Sequence, residues 1–198
     1  MPEYLAPGVY VEETARGPRP IEGVATSTAA FLGETERGPT LPELVTSFSA
    51  YQRLFGGRVG DDKYMPDAVS GFFENGGQQA YVCRVAGAGA VSSSRGVGGL
   101  SIEAIGPGIW GDRVFVKLTD STTVRPDGQP YGFRLQVAFW SEPTTGNIYP
   151  DPFGPSQVPA EAATVVEEFD DLVWDDPNSP DYFPKRLERR SSLVTVSS

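Results

Sequence analysis

The stretch Asp67–Val85, "DAVSGFFENGGQQAYVCRV", decides how this chain is read. Val69, Phe72 and Phe73, with Met65 just upstream, fall on one face at helical spacing. Pro66 suits a helix start, and Gly76 can close the helix. The residues that follow, "QQAYVCRV", read as a strand. Upstream, "SFSAYQRLFGG" reads as another short helix. Ser47 is its N-cap, Phe48, Tyr51, Leu54 and Phe55 form its apolar face, and Gly56 or Gly57 stops it. Further upstream, "GVATSTAAFLGE" (Gly23–Glu34) reads as a buried strand of small side chains, and "TERGPTLPE" as a loop. The order strand, helix, helix, strand begins an α/β layer. Residues 21–86 are too few to bury both apolar helix faces and a sheet, so their cover must come from elsewhere.

Beyond this unit the pattern changes. "AGAGAVSSSRGVGG" (Ala86–Gly99) is a composition break, and residues 87–99 read as a Gly/Ser-rich linker. Then come the alternating runs "LSIEAI", "DRVFVKLTD" and "YGFRLQVAFW". In the last, Phe133, Leu135, Val137 and Phe139 point one way. "TTGNIYPDPFGPSQVPAE" is a long loop, "ATVVEEFDDLVWD" a strand entering a turn, and "SSLVTVSS" a final strand. "NSPDYFPKRLERRS" reads as a short helix with Ser179 as cap, Pro180 in first position and a kink at Pro184. Residues 100–198 are thus expected to form a β-rich domain.

The chain opens with "MPEYLAPGVYVEE". Val9 and Val11 alternate with Tyr10 and Glu12, the period of a half-buried strand, and Pro7 and Gly8 mark a turn before it. Gly17, Pro18 and Pro20 interrupt the chain after it. An extended arm of residues 1–20 would reach up to about 65 Å. No hairpin partner follows, so its pairing strand must lie far away in sequence or in another molecule.

Composition narrows the function. The formal net charge is −10, from 16 Lys and Arg against 26 Asp and Glu. Neither nucleic acid nor an anionic membrane surface is a natural partner for such a chain. Much of the acid lies between Glu161 and Asp181, as expected of a solvated surface. Histidine is absent and Cys83 is the only cysteine, which removes the usual general base, nucleophile pairing and zinc ligands. Cys83 lies in the apolar run "AYVCRV" and reads as a buried, inert thiol. No run approaches the ~20 apolar residues of a membrane span, and the N-terminus lacks the basic and apolar regions of a secretory signal, so a protein made and kept in the cytoplasm, at least at first, is expected.

Three motifs invite chemistry. "GPGIWG" (Gly106–Gly111) matches the dinucleotide pattern G-x-G-x-x-G, but a strand-like run follows it where a phosphate-binding helix is needed. A tight turn anchored by Trp110 is the expected reading. Adjacent acids at Glu12–Glu13, Asp61–Asp62, Glu167–Glu168, Asp170–Asp171 and Asp175–Asp176 would point to opposite faces of a strand, a poor arrangement for two-carboxylate hydrolysis. "DDPNSPD" lacks the spaced ligands of a calcium loop. No catalytic, cofactor or metal residues are assigned.

Six segments in order resemble the contractile tail sheath family of contractile-tailed phages and bacterial injection systems. They are "YLAPGVYVEE" (Tyr4–Glu13), "TAAFLGETERGP" (Thr28–Pro39), "VTSFSAYQRLFGG" (Val45–Gly57), "DAVSGFFENGGQQAYVCRV" (Asp67–Val85), "GPGIWGDRVFVKL" and "EEFDDLVWDDPNSPDYFPKRLERRSSLVTV". The resemblance spans nearly the whole chain; Pro184 departs from it, where the family usually continues a helix. It implies an α/β (α+β) architecture: an N-terminal arm, part of the sheath α/β domain, and an inserted, outward-facing β-rich domain. Family members continue well past this length and complete the α/β domain with later chain, so the resemblance implies an N-terminal portion.

The resemblance also implies a structural protein without active site or cofactor. Copies would assemble helically around an inner tube and contract, with baseplate and terminator or cap proteins as further partners. Assembly would take place in the bacterial host cytoplasm, and the product would be part of a virion or injection particle. Pro7, Gly8, Val9, Tyr10, Val11, Glu12 and Glu13 would form the strand donated to a neighbouring subunit. Alternative readings are a sheath-like cap, adaptor or baseplate component; a β-rich carbohydrate-binding module using Trp110, Trp140 and Trp174; and, remotely, a carboxylate-based glycosidase.

Overall fold

Ser47 starts the first helix as expected: its hydroxyl accepts from the amide of Ala50, 3.1 Å away, and Gly56, at φ 85°, ends it. This helix, α1 (Phe48–Phe55), and α2 (Met65–Glu74), with Pro66 in its first turn, lie against a three-stranded sheet. The computed structural model describes residues 27–143, 151–154, 163–188 and 190–196. The fold is α+β.

The first sheet contains β1 (Thr28–Gly33), β2 (Glu43–Val45) and β3 (Gln79–Arg84), in the order β1-β3-β2. β1 and β3 are parallel, with Phe31 opposite Val82, and β2 runs antiparallel to β3, with Leu44 opposite Tyr81. Tyr51, Phe55, Met65 and Val69 from the helices meet Val45, Ala80 and Val82 from the sheet in one buried cluster. β2 was not anticipated: it is only three residues long, directly after Pro42, and too short to show a period. β1 was expected to be buried, yet only alternate residues are partly covered, because both helices pack on the same face. Cys83 is half-buried rather than enclosed, for the same reason.

The stretch read as linker contains a strand. β4 (Ser94–Val97) forms a hairpin with β5 (Leu100–Ala104), closed by Gly98 and Gly99 at φ 58° and 85°, the left-handed pair that a two-residue hairpin turn requires. β5 also pairs with β9 (Val194–Val196). A third sheet takes β6 (Val114–Asp120), β7 (Phe133–Phe139) and β8 (Val165–Leu172), all antiparallel, with β7 central. These two sheets share one core, in which Ile102, Leu135, Val137, Phe139, Phe169 and Val194 pack with Trp110.

The last helix, α3 (Phe183–Leu187), begins later than the sequence suggested. Ser179 instead closes the preceding turn, its hydroxyl accepting from the amide of Asp181 at 3.1 Å. Pro184 therefore sits in the first turn of α3, where a missing N–H costs nothing, and no kink is needed.

Candidate interaction surface

The helix-covered sheet has a second face. Thr28, Ala30 and Leu32 of β1, Leu44 of β2, and Gln79 and Tyr81 of β3 lie on it. Leu32 is 73% exposed, Tyr81 49% and Leu44 48%. Register brings these side chains together, since Ala30 and Leu44 both oppose Tyr81. Leu41 and Val85 extend the apolar surface at its margins. One face of this sheet is covered by α1 and α2, while the other is bare among the described residues and apolar apart from Thr28 and Gln79. Moving the exposed remainder out of water would contribute about 1–2 kcal/mol for Leu32 and about 1 kcal/mol for Leu44. β1 is also an edge strand, and its outer side has no strand partner among the described residues.

Buried charge links this sheet to the β-rich part. Arg37 donates from Nη2 to the carbonyls of Gln52 and Arg53, both at 3.0 Å, satisfying the C-terminal end of α1. Its Nη1 meets Glu36 at 3.2 Å. Glu36 also accepts from the amide of Gly57 at 2.8 Å and from the hydroxyl of Ser141, beyond the end of β7. The Arg37 guanidinium lies 5.0 Å from the centre of the Phe139 ring. Burial lowers the Arg37 pKa, an effect opposed by the charges of Glu36 and Glu167. Gly106 abuts the backbone of Gly38, and the Gly106–Gly111 loop leads through a 3₁₀ turn (Ile109–Arg113) into β6. Trp110, 2% exposed, anchors that turn by donating from Nε1 to the Pro107 carbonyl at 3.2 Å. The glycine motif is thus a structural turn running into a strand.

Pro7, Gly8, Val9, Tyr10, Val11, Glu12 and Glu13 lie outside the described residues. Trp110, Trp140 and Trp174 do not converge on a surface: the first two are buried, Trp140 at 3% exposure, and only Trp174 is open to solvent. Several of the paired acids hold structure together. Glu167 accepts from the Ser192 amide at 2.7 Å and the Ser191 hydroxyl at 2.6 Å; Glu168 pairs with Arg134; Asp171 accepts from Thr123 at 2.7 Å. Hydrogen bonds from Thr122 and the Asp171 amide hold the Asp170 carboxyl below the usual carboxylate range, although burial acts the other way. Among the described residues no three potential metal-ligating side chains gather, and no helix is long and apolar enough to cross a membrane.

The bare sheet face was not singled out from sequence. Its only signal is the alternation in "TAAFLG", which reads equally well as a fully buried strand.

Two of the solved structures similar to this chain show what it resembles. Both are sheath tail proteins. One, from Listeria innocua, has a TM-score of 0.42 and 9% identity over 86% of this chain and 30% of its own. The other, from Desulfitobacterium hafniense, has a TM-score of 0.39 and 10% identity over 96% of this chain and 35% of its own. The chain therefore spans about a third of the length of these structures. No protein-family model and no curated protein matches the sequence.

Proposed function

We propose that this chain is a structural, non-enzymatic part of a contractile tail sheath, corresponding to the N-terminal portion of a sheath subunit. Copies assemble helically around an inner tube, held between baseplate and terminator proteins. Assembly takes place in the host cytoplasm, and the product is part of a virion or injection particle. Residues 1–20 act as an arm, 21–86 as part of the assembling α/β domain, 87–99 as the connection, and 100–198 as the outward domain.

The observation that carries this reading is the bare apolar face of the β1-β3-β2 sheet, with its free β1 edge. It lies within the segments whose order resembles sheath proteins, and it gives the chain a surface that water does not favour. A second copy of the chain is the occupant. Its Pro7–Glu13 segment, with Val9 and Val11 on one side, has the period of an added strand and no local partner. Contraction is then a rigid-body rearrangement of domains that stay linked through their arms.

Electron microscopy of particles from the producing cells tests this. Striated tubes should form with the intact protein and disappear when residues 1–14 are deleted. A monodisperse monomer, unchanged by that deletion, would overturn the proposal.

A further inference from the structure

We propose that the cleft at the far end of the β6-β7-β8 sheet is a saccharide-binding site. The cleft has a volume of about 730 Å³, within the usual range for small-molecule sites. It is lined by the end of β6, the start of β7 and the turn after β8. β7 runs from this cleft to the Glu36–Arg37 junction, about 20 Å at roughly 3.3 Å per residue. The site is therefore remote from the sheet face assigned above to assembly, and the inference does not depend on that assignment.

Three features select the ligand. First, Trp174 lines the cleft at 61% exposure, a large indole surface left in water although the chain buries its other two tryptophans. An exposed aromatic face suits the C–H face of a pyranose ring, which excludes water without requiring charge. Second, part of the lining is preformed. The Tyr131 hydroxyl donates to Asp181 at 3.2 Å, and its amide to the Thr123 carbonyl at 2.9 Å. Arg125 donates to the Tyr131 carbonyl at 2.8 Å and lies 5.7 Å from the centre of its ring. A wall so fixed loses little entropy when a ligand binds.

Third, the cleft presents both signs of charge. Asp120, Asp175 and Arg125 all line it, so carboxylates and a guanidinium lie at one cleft. A phosphate would meet the two carboxylates, and a simple cation would meet the guanidinium. A neutral polyol satisfies both, donating its hydroxyls to carboxylates and accepting from the guanidinium, in hydrogen bonds strengthened by the charged partner.

The test uses the full chain titrated with cellotetraose, chitotetraose, maltotetraose and galactotetraose, read by tryptophan emission and by calorimetry. At least one should bind saturably below about 10 mM, with a shift of emission to shorter wavelength. Trp174→Ala should weaken that binding at least about tenfold, Trp174→Phe less, and Asp120→Asn about fivefold. None of these exposed substitutions should move the thermal melt. No saturable binding by any tetraose, binding that survives Trp174→Ala, or equal binding of tetramethylammonium or inorganic phosphate at the same site would each overturn the proposal.

Discussion

The guanidinium of Arg84, at the end of β3, donates to the carbonyl oxygen of Pro107, 2.7 Å away. The same nitrogen reaches the carbonyl of Gly38 at 3.2 Å. One buried cation thus joins the helix-covered sheet to the loop that follows β5 in the β-rich part, and burial lowers its pKa. Arg84→Met keeps the stem and removes both donations, leaving two carbonyls without that partner. A loss of about 2–4 kcal/mol is expected. Urea unfolding should show a lower midpoint with an unchanged slope.

Tyr51 stacks between Phe48 and Phe55, and its buried hydroxyl has no hydrogen-bond partner among the described residues. Tyr51→Phe should be neutral or stabilise the fold by up to about 1 kcal/mol. Burial, and secondarily the charge of Glu36, pushes the Tyr51 pKa well above its ordinary value of about 10. Above that value the unfolded chain releases a proton that the folded chain keeps, so this contribution to stability is lost as pH rises. Urea melts at neutral pH and near pH 11 should show a steeper fall for the native chain than for Tyr51→Phe. Equal falls would show that Tyr51 does not titrate in this way.

Gly106 tests the closeness of the junction. A Cβ there would lie 2.1 Å from the carbonyl oxygen of Gly38, so Gly106→Ala must push two backbones apart. Its φ is not left-handed, so the cost is steric alone. A loss of about 2 kcal/mol or more is expected, against no more than about 0.5 kcal/mol for Gly57→Ala, where a Cβ meets open space. Thermal melts of the two variants side by side would decide.

Leu32→Glu separates folding from association. The side chain is largely exposed, so stability should stay within about 0.5 kcal/mol of the native chain. Self-association should weaken, because a carboxylate would have to leave water at the contact. Sedimentation velocity over a concentration series measures this. Unchanged association would remove the outer sheet face from the assembly surface.

Much of this architecture was legible in the chain because its signals are local. Ser47 and Gly56 bound α1, Pro66 and Gly76 bound α2, and the alternation of Phe133, Leu135, Val137 and Phe139 marks β7. What escaped depended on partners distant in sequence. β2 exists because β3 offers it an edge, and β4 because the Gly98–Gly99 turn folds it onto β5. Glycines at 98 and 99 read equally well as linker or as hairpin turn. Pro184 was misplaced because a proline in a first turn and one inside a helix look alike until the cap is located. For the interaction surface, periodicity shows which residues of β1 are apolar but not which face the helices choose. Leu32 and Phe31 are neighbours of similar hydrophobicity, and packing alone sends one to the core and the other to the surface.

Phe139 lies beneath two guanidinium groups, with Arg37 at 5.0 Å and Arg113 at 5.5 Å from its ring. β7 leads from that ring to Phe133 and pairs on both sides along its length. If the sheet turns about that junction, the strand carries the turn as a stiff member, with the aromatic ring as its pivot. Over about 20 Å, a tilt of 10° at the pivot would carry the far tip sideways by roughly 3.5 Å. Fluorophores placed at the two ends of β7 would therefore act as an angular gauge, reading out at the periphery how tightly the sheet at the base is gripped.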